Sequence, residues 1–189
     1  MHSLTDMGKR TNRLTVLISI HYRLVIGIIL LLGATSWQRS TYQRPTNLTV
    51  YAFLNTECPI SQQYTRRLAE LYQTFSPEGV RFVAVFPLRT DTPKAIEQFR
   101  VDYKLPFAGQ PDKGARLARQ FRAHVTPEVV VMQSDGKVRY QGAIDDWYVD
   151  LGKRRTEAVH TYLRDALNAL LTNQPVPEAR TEAVGCLIE

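Results

Sequence analysis

Two β-prone apolar segments with an amphipathic helix between them most limit what this chain can fold into. The segments, residues 48–55 and 80–86, are apolar enough to be strands buried on both faces. Between them, apolar residues recur at steps of three or four, as on one face of a helix: Ile60, Tyr64, Leu68, Leu71 and Phe75. This order predicts a βαβ unit with parallel strands.

A further helix and a short strand are predicted after this unit. Asp91 or Thr92 can cap the helix, with Pro93 in its first turn, and Pro106 ends it. Its inward residues are expected to be Ile96, Phe99 and Tyr103. A short strand over 105–109 follows, and then a helix over 113–122 that packs Leu117, Ala118 and Phe121.

The last third of the chain predicts a hairpin and a final helix. Segments 129–132 and 138–143 flank Asp135-Gly136, a strong signal for a tight hairpin turn. The final helix is expected over 156–171, with its apolar face formed by Val159, Leu163, Ala166, Leu167 and Leu170. Pro175 and Pro177 keep the following tail out of that helix.

These elements predict one α/β domain with a mixed central sheet between helix layers. We expect the domain to span residues 46–171, preceded by a leader over 1–36 and followed by a tail over 172–189. The chain of 189 residues shows no internal repeat, and no segment resembles a Gly-rich phosphate loop.

The first 36 residues are typical of a targeting segment. They carry four Lys or Arg and one Asp, half of the chain's net charge of +6, followed by an 11-residue apolar run at 24–34 and then Ala34-Thr35-Ser36. A signal peptide and an uncleaved anchor both fit, and a buried core helix is the alternative. Export would place the body in the periplasm or on the outer face of the membrane, with no other membrane contact. The mildly basic body does not favour nucleic acid as a partner.

Cys58 is the candidate nucleophile. It directly follows the first strand in the sequence Thr-Glu-Cys-Pro-Ile-Ser and opens the helix whose apolar face begins at Ile60. Free N–H groups and the positive end of the helix dipole favour a thiolate there, although Glu57 opposes it. The alternative is a buried structural cysteine.

At these residues the chain resembles the thioredoxin-fold redoxins, both the TlpA-like proteins and the AhpC/TSA peroxiredoxins, and in particular an extracytoplasmic bacterial subgroup with a TECPI motif. Cys58 matches the first cysteine of Cys-X-X-Cys, and the segment 124–131 matches the one that carries a cis-proline. The resemblance implies that Pro127 is cis and that the backbone before it pairs with an extended substrate. It makes Thr126, Pro127, Thr56 and Ser61 the candidate substrate-binding residues.

The departures from this family bear on mechanism. Ser61 replaces the second cysteine of Cys-X-X-Cys, so Cys58 lacks a local disulfide partner. Asn55 stands where peroxiredoxins have a threonine, with Thr56 one step later. Arg122 and Arg139 are arginines that could serve a thiolate or a peroxide, but the sequence does not show which reaches Cys58.

Cys186 is the second thiol of the chain, 128 residues after Cys58. In a mobile tail it could resolve a sulfenic acid or a mixed disulfide at Cys58. A static disulfide and a bond between two chains are the alternatives. A metal site would require His124 to meet both cysteines, so no metal and no cofactor are expected.

Three functions therefore stay open. The first is an exported thiol-disulfide oxidoreductase with Cys58 as nucleophile and Cys186 or an external thiol resolving. The second is a thiol peroxidase with an antioxidant role, and the third is a non-catalytic binding module held by a Cys58–Cys186 disulfide. The expected partners are a protein thiol or disulfide, or a peroxide, together with an external electron donor.

Overall fold

A computed structural model describes residues 48–188. The predicted leader, residues 1–36, lies outside this range. Within the described residues no helix is both long and apolar enough to cross a bilayer.

The described part of the chain alternates strands and helices. In chain order the strands are β1 (Leu48–Phe53), β2 (Arg81–Phe86), β3 (Gly109–Pro111), β4 (Val125–Thr126), β5 (Glu128–Gln133), β6 (Val138–Gly142), β7 (Tyr148–Asp150), β8 (Lys153–Arg154) and β9 (Cys186–Leu187). The helices are α1 (Pro59–Phe75), α2 (Pro93–Asp102), α3 (Arg116–Phe121) and α4 (Tyr162–Leu171), with a 3₁₀ turn at Lys113–Ala115.

Five strands form a mixed sheet in the order β3-β2-β1-β5-β6. The first three run parallel, as the βαβ pattern predicts, whereas β5 pairs antiparallel with β1 and β6 pairs antiparallel with β5. Val50 of the central strand lies between Phe82 and Val131. The parallel strands therefore end at one edge, and Cys58 follows the end of β1 there.

Helices cover both faces of this sheet and enclose two apolar clusters. On one face α1, α2 and α4 pack through residues that include all five members of the predicted α1 stripe. On the other face α3 packs Ala118 and Phe121 against Phe53, Val85 and Val130. The predicted mixed sheet between helix layers is confirmed.

The predicted strand over 105–109 is placed too early. Pro106 has no N–H to donate, and Leu105 and Phe107 are buried side chains of a loop. Pairing with β2 begins where the Ala84 N–H donates to the Ala108 carbonyl, and β3 runs over Gly109–Pro111.

The two helices beside this strand also differ in detail from expectation. Thr92 caps α2 by accepting from the Ala95 N–H, and Tyr103, expected to face inward, is 37% exposed. The helix expected over 113–122 is interrupted where Gly114 and Ala115 adopt positive φ angles of 68° and 52°. The continuous helix is α3 alone.

The final helix starts six residues later than the pattern predicts. Oδ1 of Asp146 accepts from the Val159 and His160 N–H groups at 2.7 and 2.9 Å, which holds this stretch in a loop before α4. Val159, expected on the buried face, is 70% exposed. Leu163, Ala166 and Leu167 are buried as predicted.

Candidate active site

Cys58 is the N-cap residue of α1, with Pro59 in the first helical position. Its carbonyl accepts from the Gln62 N–H at 3.0 Å, which closes the first helical turn. The predicted position at the helix start is confirmed. The side chain is only 1% exposed and belongs to the apolar cluster on the α1 face of the sheet, against which Cys186 of the C-terminal tail also packs.

The loop before Cys58 is held by its own polar side chains. Oδ1 of Asn55 accepts from the Glu57 N–H at 2.8 Å, and Oγ of Ser61 accepts from the Asn55 N–H at 3.3 Å. The Thr56 hydroxyl donates to Asp91 at 2.7 Å, and the Thr56 N–H donates to the same oxygen at 3.0 Å. Ser61 and Thr56, predicted to bind substrate, thus hold the loop in this structure.

Asp91 is a site residue that the sequence analysis considered only as a helix cap. Its carboxylate is buried and accepts from Thr56 and from the Leu88 N–H, so it ties the loop after β2 to the loop that carries Cys58. The only signal in the sequence was an acidic residue beside Thr92-Pro93, and a helix cap accounts for that signal equally well.

Cys58 and Cys186 form a disulfide with a Cα–Cα distance of 6.2 Å. The structure therefore contains a bond within one chain, and not the alternative of a bond between two chains. Sγ of Cys58 also lies 3.2 Å from the carbonyl oxygen of Thr126. The disulfide therefore sits at the junction of α1, β4 and the tail.

The tail segment around Cys186 is a strand. β9 pairs antiparallel with β4, with Cys186 opposite Thr126 and Leu187 opposite Val125. The Thr126 hydroxyl donates to the Cys186 carbonyl at 3.4 Å, and the Ile188 N–H donates to the His124 carbonyl at 2.9 Å. The Thr126-Pro127 bond is cis, as the resemblance implied. The tail thus pairs with the backbone that the resemblance reserves for an extended substrate.

Gly185 allows this close approach of the tail. A Cβ at this position would overlap the Thr126 carbonyl group, which is backbone and cannot turn aside. The residue before Cys186 must therefore be glycine for the strand to lie where it does.

The tail has a second attachment at Thr181, which the sequence analysis missed. Its N–H donates to the Gln141 carbonyl at 3.1 Å, and its hydroxyl accepts from the Ala143 N–H at 3.0 Å. The same hydroxyl lies 2.6 Å from the Tyr140 hydroxyl. Gly142, at φ 144°, leaves the space that Thr181 fills. No motif in the sequence links positions 181 and 140.

The two candidate arginines occupy different places. Arg139 donates to Gln133 and Asp135 at the end of the β5–β6 hairpin. Arg122 lines a groove of about 380 Å³ beside Ile188, next to His124. Within residues 48–188 no group of three His, Cys, Asp or Glu side chains could hold a metal ion.

A polar cluster holds the β7–β8 hairpin over α1. The carboxylate of Asp145 accepts from the Tyr64 hydroxyl at 2.7 Å and from Arg67 at 2.6 Å. Burial, and then the negative charge of Asp145, raise the pKa of Tyr64 well above its usual value, so the phenol stays protonated. The Arg67 and Arg154 guanidinium carbons lie 4.5 and 5.0 Å from the Trp147 ring centroid.

Comparison with known proteins places the chain in a family. The model of the AhpC/TSA family matches residues 32–141, more than half of the chain. The chain belongs to the AhpC/TSA family. A comparison with curated proteins found no match.

Solved structures of similar fold were also found. An uncharacterised conserved protein from Geobacillus kaustophilus matches with a TM-score of 0.66 at 28% identity, over 76% of this chain and 77% of that one. A hypothetical protein from Sinorhizobium meliloti matches with a TM-score of 0.67 at 21% identity, over 77% and 81%. A Chlorobium tepidum protein provisionally assigned as a thiol:disulfide interchange protein matches with a TM-score of 0.51 at 17% identity, over 67% and 82%. The fold is thioredoxin-like.

Proposed function

We propose that this AhpC/TSA-family redoxin is an exported thiol-disulfide oxidoreductase in which Cys58 attacks the disulfide of a protein partner and Cys186 resolves the product. One observation carries the proposal. The strand that bears Cys186 pairs with Thr126, and its sulfur is bonded to Cys58. The site accommodates a cysteine presented on an extended chain, which is the form in which a protein partner would present one.

The reaction balances with the two cysteines and one partner disulfide. The Cys58 thiolate attacks one partner sulfur, and the other partner sulfur leaves as a thiolate with the electron pair. The Cys186 thiolate then attacks Cys58 Sγ and expels the partner's remaining thiolate. The partner gains two electrons and two protons, and the protein ends with the disulfide seen here. An external dithiol must reduce that disulfide before the next turnover.

The site positions the reacting sulfur atoms for these steps. The helix start places Cys58 where N–H groups favour a thiolate, and the Thr126 backbone aligns an incoming strand beside it. Since Ser61 replaces the local second thiol, the resolving sulfur must come from elsewhere, and the tail delivers Cys186.

An exported location agrees with this chemistry. A disulfide between the chain's two cysteines is stable in an oxidising compartment, and the leader composition fits export. The related fold of the Chlorobium tepidum protein, provisionally assigned to thiol-disulfide interchange, supports the same class of reaction.

The experiment compares wild type with Cys58→Ser and Cys186→Ser on a disulfide substrate and on hydrogen peroxide. We expect wild type to reduce the disulfide in the presence of a dithiol, Cys58→Ser to be inactive, and Cys186→Ser to accumulate a mixed disulfide visible by mass. Cys58-dependent peroxide consumption without disulfide exchange would replace the proposal by a thiol peroxidase. Inertness of reduced wild type to both substrates would leave a structural disulfide.

A further inference from the structure

A cationic groove continues from the point where the tail strand leaves the active site. It holds about 380 Å³ and is lined by Arg119, Arg122 and His124 together with Ala115, Ala118, Ala123 and Ile188. Ile188 is the second residue after Cys186, so the backbone that passes the disulfide runs directly into the groove.

The two arginines of the groove have no partners among residues 48–188. Neither guanidinium makes an ion pair there, and both side chains are exposed. The carboxylate of Glu128, which contacts the backbone of the groove residue His124, is already engaged, because its two oxygens accept from the His124 N–H and from the Gln141 side-chain amide. Two positive charges therefore face solvent beside the path of an extended chain.

The tail also shows what can precede the cysteine in this path. Gly185 lies against the Thr126 carbonyl with no room for a Cβ, and Thr126 pairs with Cys186 itself. A partner strand in the same register meets the same obstacle one residue before its own cysteine.

We propose that the groove and the Thr126 carbonyl select the partner by sequence: an extended segment with glycine before the reacting cysteine and an acidic residue at the second or third position after it. The acidic side chain pairs with Arg119 and Arg122, and its methylene groups contact the alanines of the groove. This inference rests on the proposed function, because it assigns the tail's path to a partner chain.

The test uses the full chain with Cys186→Ser, so that no second thiol of the chain can react with Cys58 or release the peptide bound to it. The probes are peptides Gly-Cys-Leu-Glu-Glu, Gly-Cys-Leu-Lys-Lys and Ala-Cys-Leu-Glu-Glu, each activated as the disulfide with thionitrobenzoate. The Cys58 thiolate attacks the peptide sulfur, and thionitrobenzoate leaves as an anion with the electron pair, which reports the rate by its absorbance. Mass confirms the peptide on Cys58.

We expect the glutamate peptide to react about tenfold faster than the lysine peptide at low salt, with the difference shrinking as salt is raised. Arg119→Gln with Arg122→Gln should abolish this difference. Arg116→Gln is the matched control, because Arg116 is an exposed residue of the same helix that does not line the groove. The peptide Ala-Cys-Leu-Glu-Glu should react several-fold more slowly than Gly-Cys-Leu-Glu-Glu. This difference should persist when Arg119 and Arg122 are both replaced by glutamine.

The outcomes separate the inference from the proposed function. Equal rates for glutamate and lysine peptides, with mixed disulfides still forming on Cys58, would overturn the charge selection and leave the oxidoreductase intact. Equal rates for the glycine and alanine peptides would overturn the requirement for glycine at the position before the reacting cysteine. If no peptide joins Cys58 in the folded protein, the proposed function fails and the inference fails with it.

Discussion

The hydroxyl of Thr181 lies 2.6 Å from the hydroxyl of Tyr140. Thr181 is five residues before Cys186, which forms the disulfide with Cys58. After the disulfide opens, we expect this contact to keep the tail attached. Five extended residues span about 16 Å, so Cys186 stays within that distance of its anchor. The contact should therefore raise the frequency at which Cys186 meets Cys58.

Thr181→Val should make the Cys58–Cys186 disulfide easier to reduce. The valine keeps the shape of threonine but removes the acceptor for the Ala143 N–H and the partner of Tyr140, at a cost of about 1 to 2 kcal/mol. We expect a roughly tenfold shift toward the dithiol in a glutathione redox buffer, measured by alkylation and mass. Thr172→Val is the control, because the Thr172 hydroxyl contacts only carbonyls of α4. Equal shifts in both variants would contradict the anchor.

Cys58 should alkylate faster than Cys186 in the reduced protein near neutral pH. Its place at the N-cap of α1 favours the thiolate, whereas Glu57 and the Thr126 carbonyl 3.2 Å away oppose it, so the rate advantage should be modest. Iodoacetamide labelling followed by mass analysis measures both rates. Modification of Cys186 with Cys58 untouched in folded protein would count against Cys58 as nucleophile.

Ser61→Cys should restore a local partner for Cys58. Position 61 is one helical turn beyond Cys58, and its hydroxyl accepts only a weak 3.3 Å bond from the Asn55 N–H, so a thiol there loses little. Under oxidising conditions we expect a disulfide between Cys58 and the introduced thiol, and insulin reduction that no longer requires Cys186. Circular dichroism must show that the variant is folded. A folded variant in which these two thiols never pair would contradict the assigned geometry.

Asp91→Asn should loosen the Cys58 loop. The carboxylate is buried, and one oxygen accepts from two donors of Thr56 while the other accepts from the Leu88 N–H. An amide in its place must turn its N–H₂ group either toward the Leu88 N–H or toward the two Thr56 donors. We expect a loss of about 1 to 3 kcal/mol in the free energy of unfolding, together with slower attack by Cys58. Urea denaturation measures the first effect. Asp102→Asn, at the exposed end of α2, should leave both unchanged.

Protonation of Asp146 should lower the free energy of unfolding in acid. Burial acts to raise the pKa of its carboxyl, but hydrogen bonds from the Val159 and His160 N–H groups, with Arg155, outweigh burial and lower it. A carboxyl with a lowered folded-state pKa stabilises the fold above its unfolded pKa of about 4, and this contribution is lost as pH falls through the folded value. Asp146→Asn should therefore flatten the decline in unfolding free energy below about pH 4. An unchanged pH profile would contradict this role.

The sequence alone determined the elements that depend on local periodicity and turn chemistry. The five apolar residues of the α1 stripe, the hairpin at Asp135-Gly136 and Cys58 at a helix start followed from spacing, because each pattern is satisfied within a few neighbouring residues. The cis bond at Pro127 followed from the family resemblance and not from any general preference for such bonds.

The tertiary structure alone decided what depends on residues far apart in the chain. Residue spacing could not show that the Asp146 carboxylate accepts hydrogen bonds from the Val159 and His160 N–H groups. These bonds form only in the folded loop, and they hold this stretch outside the helix, so that α4 begins later than the pattern predicts. Nor could residue spacing pair Cys186 with Cys58, since a tail of this length reaches many places. That pairing depends on contacts between the tail and distant residues: Thr181 binds Gln141 through its N–H and Ala143 and Tyr140 through its hydroxyl, and β9 pairs with β4 at Thr126. No local pattern marks these contacts, because their partners lie about 40 to 60 residues away in the chain.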